Sequence, residues 1–268
     1  MTVVALPVGD QLREWRRRRR MSQLDLATEA EISTRHLSFL ETGRASPSRE
    51  MILRLAEQLD VPIRECNLLL VAGGFAPMFP ERDLAAPELA QARAAIDVLL
   101  ESHKPYPAYA LDRRWNVVAS NRALPSLYAG VDPALMAPPV NAIRLSLHPA
   151  GLAPRIVNHA EWRAHLFARL RRQIELTADA GLADLLAEAE SWPHPPCAAP
   201  ARRLAASAEM VIPFRIRIGD EIASFFSTTM VFGTPVEVTL SELALESFFP
   251  ADAATAALVR SLETLPLK

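Results

Sequence analysis

The stretch SQLDLATEAEISTRHLSFLETGRASPS (residues 22–48) decides how the N-terminal part of the chain folds. Ser22 and Ser33 are suited to cap the starts of two helices, because serine hydroxyls accept hydrogen bonds from the first turn. Gly43 is suited to end the second helix. The pattern predicts two helices joined by a turn of about three residues, with one face of the second helix left outside.

Apolar residues at helical spacing continue on both sides of this stretch. They predict five short helices within about residues 8–72, with Leu37 and Leu40 of the third helix facing inward. Because those two leucines point inward, Arg35 and Ser38 must point outward. The expected helices lie at about residues 10–19, 22–30, 33–42, 48–59 and 62–71.

This pattern resembles the lambda-repressor-like, or XRE-type, helix-turn-helix domain. The agreement lies in Ser22-Gln23-Leu24, Ala27, residues 32–44 and Pro47-Ser48. The resemblance implies an all-α five-helix domain that binds double-stranded DNA through a recognition helix at Thr34–Thr42. The family usually has Gly in the turn, whereas this chain has Glu31. We therefore expect either a backbone that avoids positive φ or a strain of about 1 kcal/mol there.

Side-chain chemistry and the resemblance together suggest which residues contact DNA. Arg35 can bind guanine O6 and N7 through two hydrogen bonds. Phe39 either covers a thymine methyl group or packs against the fourth helix. The Arg16–Arg20 run either binds phosphates or forms a solvated helix end. The predicted DNA-binding residues are Arg16, Gln23, Ser33, Thr34, Arg35, Ser38, Phe39 and Arg44.

One recognition helix makes few base contacts, so a module of this size usually binds two half-sites as a dimer. We therefore expect a homodimer. The fifth helix and the helix predicted over Pro87–His103 are both candidates for the dimer contact.

A composition rich in Gly and Pro marks residues 73–87 as a linker between a DNA-binding domain (1–72) and a second domain (88–268). The second domain reads as α+β and PAS-like, with an antiparallel sheet. We expect helices at 87–103, 120–128, 160–173, 182–189 and 253–262, a loop at 192–200, and strands at 109–111, 115–119, 210–218, 222–232 and 236–240.

The second domain resembles the ligand-binding domain of MmyB-like transcription regulators. Residues 109–124, Arg144–Leu152, the region around Asn158 and the segment from Phe232 to Asp252 carry the likeness. The resemblance implies an apolar pocket for a fatty acid or similar lipid-like effector. A carboxylate on that effector would need Arg144, His148 or an arginine within residues 169–172. The predicted ligand-binding residues are Trp115, Asn121, Leu124, Tyr128, Arg144, His148, Phe167, Phe214, Phe226 and Met230.

Composition limits the other classes of function. The net charge is −2, yet residues 1–20 carry +4, so the basic part of the chain is short and N-terminal. No apolar run approaches the ~20 residues that span a bilayer, and two cysteines are too few for a disulfide scaffold, so we expect a cytoplasmic protein that does not enter membranes. The histidines lack metal-site spacing and no catalytic motif is present, so we expect no metal, cofactor or enzyme activity.

A second reading of the C-terminal domain remains open. Aromatic residues and methionines at these spacings are typical of a filled core as well as of a pocket wall. In that case the domain would be a ligand-free dimerisation or protein-interaction module attached to a DNA-binding domain.

Overall fold

The computed structural model describes residues 6–123, 127–128, 130–193, 212–233 and 237–263. The chain divides into two compact units. The first holds the chain up to Glu81, together with Gln173–Ala178 and a short segment ending at Val238, and the second holds the rest.

The first unit contains the five expected helices. They are α1 (Val8–Arg18), α2 (Gln23–Glu29), α3 (Thr34–Glu41), α4 (Arg49–Gln58) and α5 (Ile63–Ala72). The hydroxyls of Ser22, Ser33 and Ser48 accept main-chain N–H bonds at the starts of α2, α3 and α4. Asp25 bonds back to the Ser22 amide, which completes a capping box.

One apolar core joins all five helices, and Leu12, Leu26, Leu37, Leu55 and Leu69 are all fully buried within it. The backbones of α1 and α3 lie very close together. A Cβ placed on Gly9 would come within 2.2 Å of the Leu40 carbonyl oxygen, so only glycine fits there.

The expected linker contains no helix or strand between Ala72 and Pro87. Its first half is nevertheless fixed to α5 by the buried side chain of Asn67. The Asn67 carboxamide donates to the Phe79 carbonyl and accepts from the amides of Met78 and Phe79, at 2.7–3.0 Å.

The second unit is α+β, as expected. Its helices are α6 (Ala90–Ser102), α7 (Ala142–Leu147), α8 (His159–Thr177), α9 (Ala180–Ser191), α10 (Val238–Ser241) and α11 (Ala253–Glu263), with 3-10 turns at Pro87–Leu89, Pro133–Met136 and Ala153–Arg155. The end of α8 from Gln173 and the first residue of α10 belong to the first unit. The strands are β1 (Ala108–Leu111), β2 (Val117–Ser120), β3 (Phe214–Ile218), β4 (Glu221–Val231) and β5 (Ala244–Pro250).

The described strands form one antiparallel sheet in the order β2-β1-β5-β4-β3. Tyr109 of β1 and Thr229 of β4 both pair with Glu246 of β5, so these three residues form a row across the centre of the sheet. Ile96 and Leu100 of α6 pack against the sheet in a cluster that includes Ala108, Ala110, Leu243 and Leu245.

Three secondary-structure predictions for this unit were wrong or incomplete. The strand expected over residues 236–240 is replaced by α10, whose first amide, that of Val238, donates to the Pro80 carbonyl instead of to a neighbouring strand. No helix starts at Ser120, which ends β2 and leads into a turn at residues 122–123, and residues 124–126 of that expected helix lie outside the described residues. The central strand β5 was not predicted.

Two other expectations fall partly outside the described residues. The start of the strand expected at 210–218 and most of the loop expected at 192–200 lie there, whereas β3 itself and residues 192–193 are described. The Gly219-Asp220 turn between β3 and β4 is confirmed, with Gly219 at φ 60°.

Candidate functional site

The second helix of the helix-turn-helix presents the expected side chains to the outside. Leu37 is 0% and Leu40 1% exposed, whereas Arg35 is exposed and Ser38 half-buried. Ser33 and Arg44, at the two ends of α3, are exposed as well. The geometry from which the recognition face was predicted is therefore present.

Two arginines flank an aromatic ring on this face. The guanidinium carbon of Arg35 lies 5.3 Å from the ring centroid of Phe39, and that of Arg44 lies 5.9 Å from it. Such contacts orient a guanidinium through the negative face of the ring. Phe39 therefore lies between Arg35, in the first turn of α3, and Arg44, which follows the end of that helix.

A buried carboxylate braces the helices behind this face. Glu41, 1% exposed, accepts bonds of 2.6 and 2.9 Å from the Arg16 guanidinium and one of 2.8 Å from the Gln23 carboxamide. Arg13 adds a bond to the Glu41 main-chain carbonyl at 2.6 Å. Hydrogen bonds to Glu41 of α3 therefore link this helix to α1 and α2. DNA contacts by Arg16 and Gln23 remain predictions, and the structure gives both side chains a partner inside the domain.

The rest of the basic run in α1 is divided between internal bonds and the surface. Arg19 donates to the carbonyls of Leu59 and Asp60 at 2.7 and 2.6 Å. Arg18 pairs with Glu14 at 3.2 Å. Arg17 and Arg20 are exposed.

The second unit contains a small apolar cavity between the sheet and helices α7 and α8. Its volume is about 40 Å³. Three of its lining residues carry hydroxyl groups, Tyr109, Tyr128 and Ser146, and the Ser146 hydroxyl accepts a 2.9 Å bond from the Trp162 indole. The lining residues are Tyr109, Leu127, Tyr128, Ala142, Leu145, Ser146, Leu152, Trp162, Phe214 and Phe248.

An ion pair lies directly beside Tyr109. Arg169 of α8 donates to both carboxylate oxygens of Glu246 at 2.9 and 2.8 Å, and Thr229 bonds to the same pair. Glu246 is 1% exposed. The Arg169 guanidinium carbon lies 4.8 Å from the ring centroid of Trp115, which covers the pair.

Burial and this ion pair shift the protonation of nearby groups. Burial raises the pKa of the Tyr109 phenol well above its ordinary value, and the Glu246 carboxylate and the Tyr128 phenol raise it further. Burial also raises the pKa of Tyr128. Burial, together with the charge of Arg169, lowers the pKa of His165. Both phenols therefore stay protonated and able to donate near neutral pH, and His165 stays neutral.

Comparison with known families identifies the class of each of these two parts. The family model for the MmyB-like transcription regulator ligand binding domain matches residues 92–262, well over half of the chain. The chain belongs to the MmyB-like transcription regulators. A helix-turn-helix family model matches residues 12–66 as well. This MmyB-like regulator thus combines a DNA-binding helix-turn-helix with a ligand-binding domain.

A curated relative agrees with the N-terminal assignment. The uncharacterized HTH-type transcriptional regulator RghRB of Bacillus subtilis strain 168 is 39% identical over 83 residues, which is 31% of this chain and 58% of the relative. A solved RNA-binding light-oxygen-voltage receptor aligns over 97% of this chain and 65% of its own length, with 13% identity and a TM-score of 0.26. That score is too low to support a shared fold.

Of the residues predicted to bind ligand in this MmyB-like regulator, Tyr128 and Phe214 line the cavity. Trp115 and Phe167 are buried beneath arginines instead. Asn121 is a buried structural residue, because its carboxamide bonds four main-chain groups between residues 100 and 123. Leu124 lies outside the described residues.

The remaining predicted ligand-binding residues also lie away from the cavity wall. Arg144 is paired with Glu188 at 2.6 Å, and His148 Nδ1 accepts from the Ala150 amide at 3.1 Å. Phe226 and Met230 of β4 are exposed, and Phe226 stacks on Phe249 at 5.2 Å. Their roles toward a ligand stay predictions.

Sequence reasoning missed the residues that organise both sites. Glu41 closes the N-terminal network, Tyr109 lines the cavity, and Glu246 lies opposite Tyr109 on the neighbouring strand. A glutamate amid apolar strand residues, as in Ala244–Pro250, was the available signal for Glu246 because buried charges are rare without a partner.

Neither a grouped metal site nor a membrane-spanning helix is present among the described residues. No three His, Cys, Asp or Glu side chains among them are grouped as a metal site would require. None of the described helices is long and apolar enough to cross a membrane.

Proposed function

We propose that this MmyB-like regulator acts in the cytoplasm as a homodimer that reads a specific DNA sequence through α3. The observation that carries the proposal is the exposed Arg35 on a helix anchored by the buried Leu37 and Leu40. Its neighbours Ser33, Thr34, Ser38, Phe39 and Arg44 complete a polar and aromatic face of the size that enters a major groove. Dimer formation would double the number of base contacts.

The test is an unbiased selection of bound DNA sequences with the wild-type chain and with Arg35→Ala. We expect the variant to lose preference at one base pair of each half-site, a discrimination of about 1–3 kcal/mol, and to keep nonspecific binding. Arg17→Ala is a matched control, because Arg17 is exposed on α1. This control variant should lower the affinity for all DNA sequences by the same factor.

A uniform loss of affinity in Arg35→Ala would make Arg35 a phosphate contact and contradict the proposed readout. The mass of the DNA complex measures the dimer. One 29.5 kDa chain per operator would contradict it.

We further propose that the C-terminal domain binds a small apolar effector, such as the fatty-acid-like molecule that the family resemblance suggests. The cavity supports this proposal, because its lining is mostly apolar and includes a few residues with hydroxyl groups. Ligand pockets typically measure about 300–1,000 Å³, so at about 40 Å³ this one must expand to admit a lipid-like molecule.

The small volume favours a second candidate, a ligand-free dimerisation or protein-interaction domain. Mass spectrometry of the protein purified under native conditions distinguishes the two. A stoichiometric apolar molecule supports the effector, whereas an empty domain that also fails to bind added apolar ligands supports the interaction module.

A further inference from the structure

The side chains that line the cavity are uncharged among the residues that the structure describes. The polar ones are Tyr109, Tyr128, Ser146 and Trp162, and the Trp162 indole already donates to the Ser146 hydroxyl. Because the pKa values of both phenols are raised, these groups meet a ligand as neutral hydrogen-bond donors. Neutral donors favour a ligand that brings an acceptor oxygen.

Three arginines of the described part of this unit already have carboxylate partners. Arg169 is held by both oxygens of the buried Glu246, so the pair beside Tyr109 has no net charge. Two other arginines on this unit are similarly engaged, Arg144 with Glu188 and Arg171 with Glu190, each at 2.6 Å.

A further cation near the wall is Arg155. It donates to the main-chain carbonyl of Leu127 and is not one of the lining residues. A carboxylate placed in the cavity would therefore lose its hydration without gaining a counter-ion from the described wall residues, because Glu246 already neutralises Arg169. Burying a charge under such conditions is strongly unfavourable, whereas a neutral acceptor needs only one donor.

We propose that this cavity selects an uncharged apolar molecule with one hydrogen-bond acceptor, such as an alcohol or an ester, over the corresponding carboxylate. The inference rests on the proposed effector function and specifies its ligand class. Tyr109 and Tyr128 would bond the acceptor, and Glu246 would keep Arg169 from serving as a counter-ion for an anion.

The experiment compares three probes with the same alkyl length on the full chain at pH 8: 1-decanol, methyl decanoate and decanoate. At this pH decanoate is ionised and His165 is neutral. Binding is followed by tryptophan fluorescence, to which Trp162 in the cavity wall contributes, and confirmed by calorimetry. We expect the alcohol and the ester to bind at least tenfold more tightly than decanoate.

Glu246→Gln tests the excluding charge. It leaves Arg169 as an uncompensated cation, so decanoate should gain at least tenfold in affinity while decanol changes little. Glu190→Gln is the matched control, because Glu190 of α9 is the carboxylate partner of Arg171, an exposed arginine that lies on α8, as Arg169 does. It should leave all three affinities unchanged.

Tyr109→Phe and Tyr128→Phe keep the test decisive if Glu246→Gln does not fold. Each removes one donor without changing the volume of the side chain. At least one of them should lower the affinity for decanol about tenfold, and the affinity for decanoate should stay low.

The outcomes separate the inference from the function on which it rests. If wild-type protein binds decanoate as tightly as decanol at pH 8, the neutral-ligand inference is overturned while the effector function stands. If no probe binds, the effector function itself is overturned.

Discussion

Glu31 occupies the turn between α2 and α3 with φ 56°, in the left-handed region that non-glycine residues rarely adopt. The sequence left open whether the chain avoids this conformation, and the structure shows that it adopts it. Glu31→Gly should therefore stabilise the first unit by about 0.5–1 kcal/mol, since relief of the strain exceeds the added flexibility of the unfolded chain. Hydrogen exchange of amides in residues 8–72 measures the change.

The same substitution two positions earlier provides the control. Glu29 is the last residue of α2, with helical backbone, so Glu29→Gly should lower stability. Slower exchange in Glu31→Gly and faster exchange in Glu29→Gly are expected together. Equal destabilisation by both would show that the turn is not strained.

Residue chemistry made some side-chain roles predictable and left others hidden. The serine caps follow from local preference, since each hydroxyl meets an amide three residues away. The partner of Arg16 cannot be read from local preference, because Glu41 lies 25 positions further along the chain and contacts Arg16 only after three helices have packed. Arg16 was accordingly predicted to contact DNA.

At the scale of elements, Glu41 determines how firmly α3 is held. Burial alone would raise the pKa of Glu41, but hydrogen bonds from Arg16 and Gln23 lower it on balance. Glu41→Gln leaves the Arg16 guanidinium without its counter-ion. It should lower the free energy of unfolding of α1–α3, measured by amide hydrogen exchange at pH 7, by about 3 kcal/mol. Glu14→Gln, which breaks the exposed pair with Arg18, should cost about 0.5 kcal/mol or less.

The pH dependence follows from the direction of that shift. A carboxyl whose pKa is lowered by folding stabilises the fold above its ordinary pKa, and this contribution is lost as pH falls through the folded value. The stability difference between wild type and Glu41→Gln should therefore shrink as the pH is lowered from 5 toward 3. A difference that is constant over this range would contradict an ionised Glu41 in the folded state.

Elements with regular patterns were predictable, and those that break the pattern were not. The helices of the first unit and the hairpin β3-β4 follow from spacing and turn residues. Strand β5 was missed because Glu246 interrupts its apolar run, although this glutamate is buried opposite Tyr109. Residues Val238–Ser241 have strand-forming side chains yet form α10, because strand preference depends on having a neighbour to pair with.

At the scale of the whole molecule, regulation requires that the effector bind DNA-competent and DNA-incompetent states unequally. A typical coupling of about 1–3 kcal/mol would change operator affinity by roughly 5–150-fold. We expect saturating 1-decanol to shift operator affinity within this range at fixed salt. By linkage, saturating operator DNA must shift decanol affinity by the same factor.

Ala142→Val supplies the control for this coupling. Ala142 lines the cavity, so the added methyl groups should fill space that decanol needs even after the cavity expands, and should abolish decanol binding. Operator affinity of this variant should then be insensitive to decanol while remaining dependent on Arg35. If decanol binds wild-type protein but leaves operator affinity unchanged, the two domains work independently, and the cavity then serves the C-terminal domain alone.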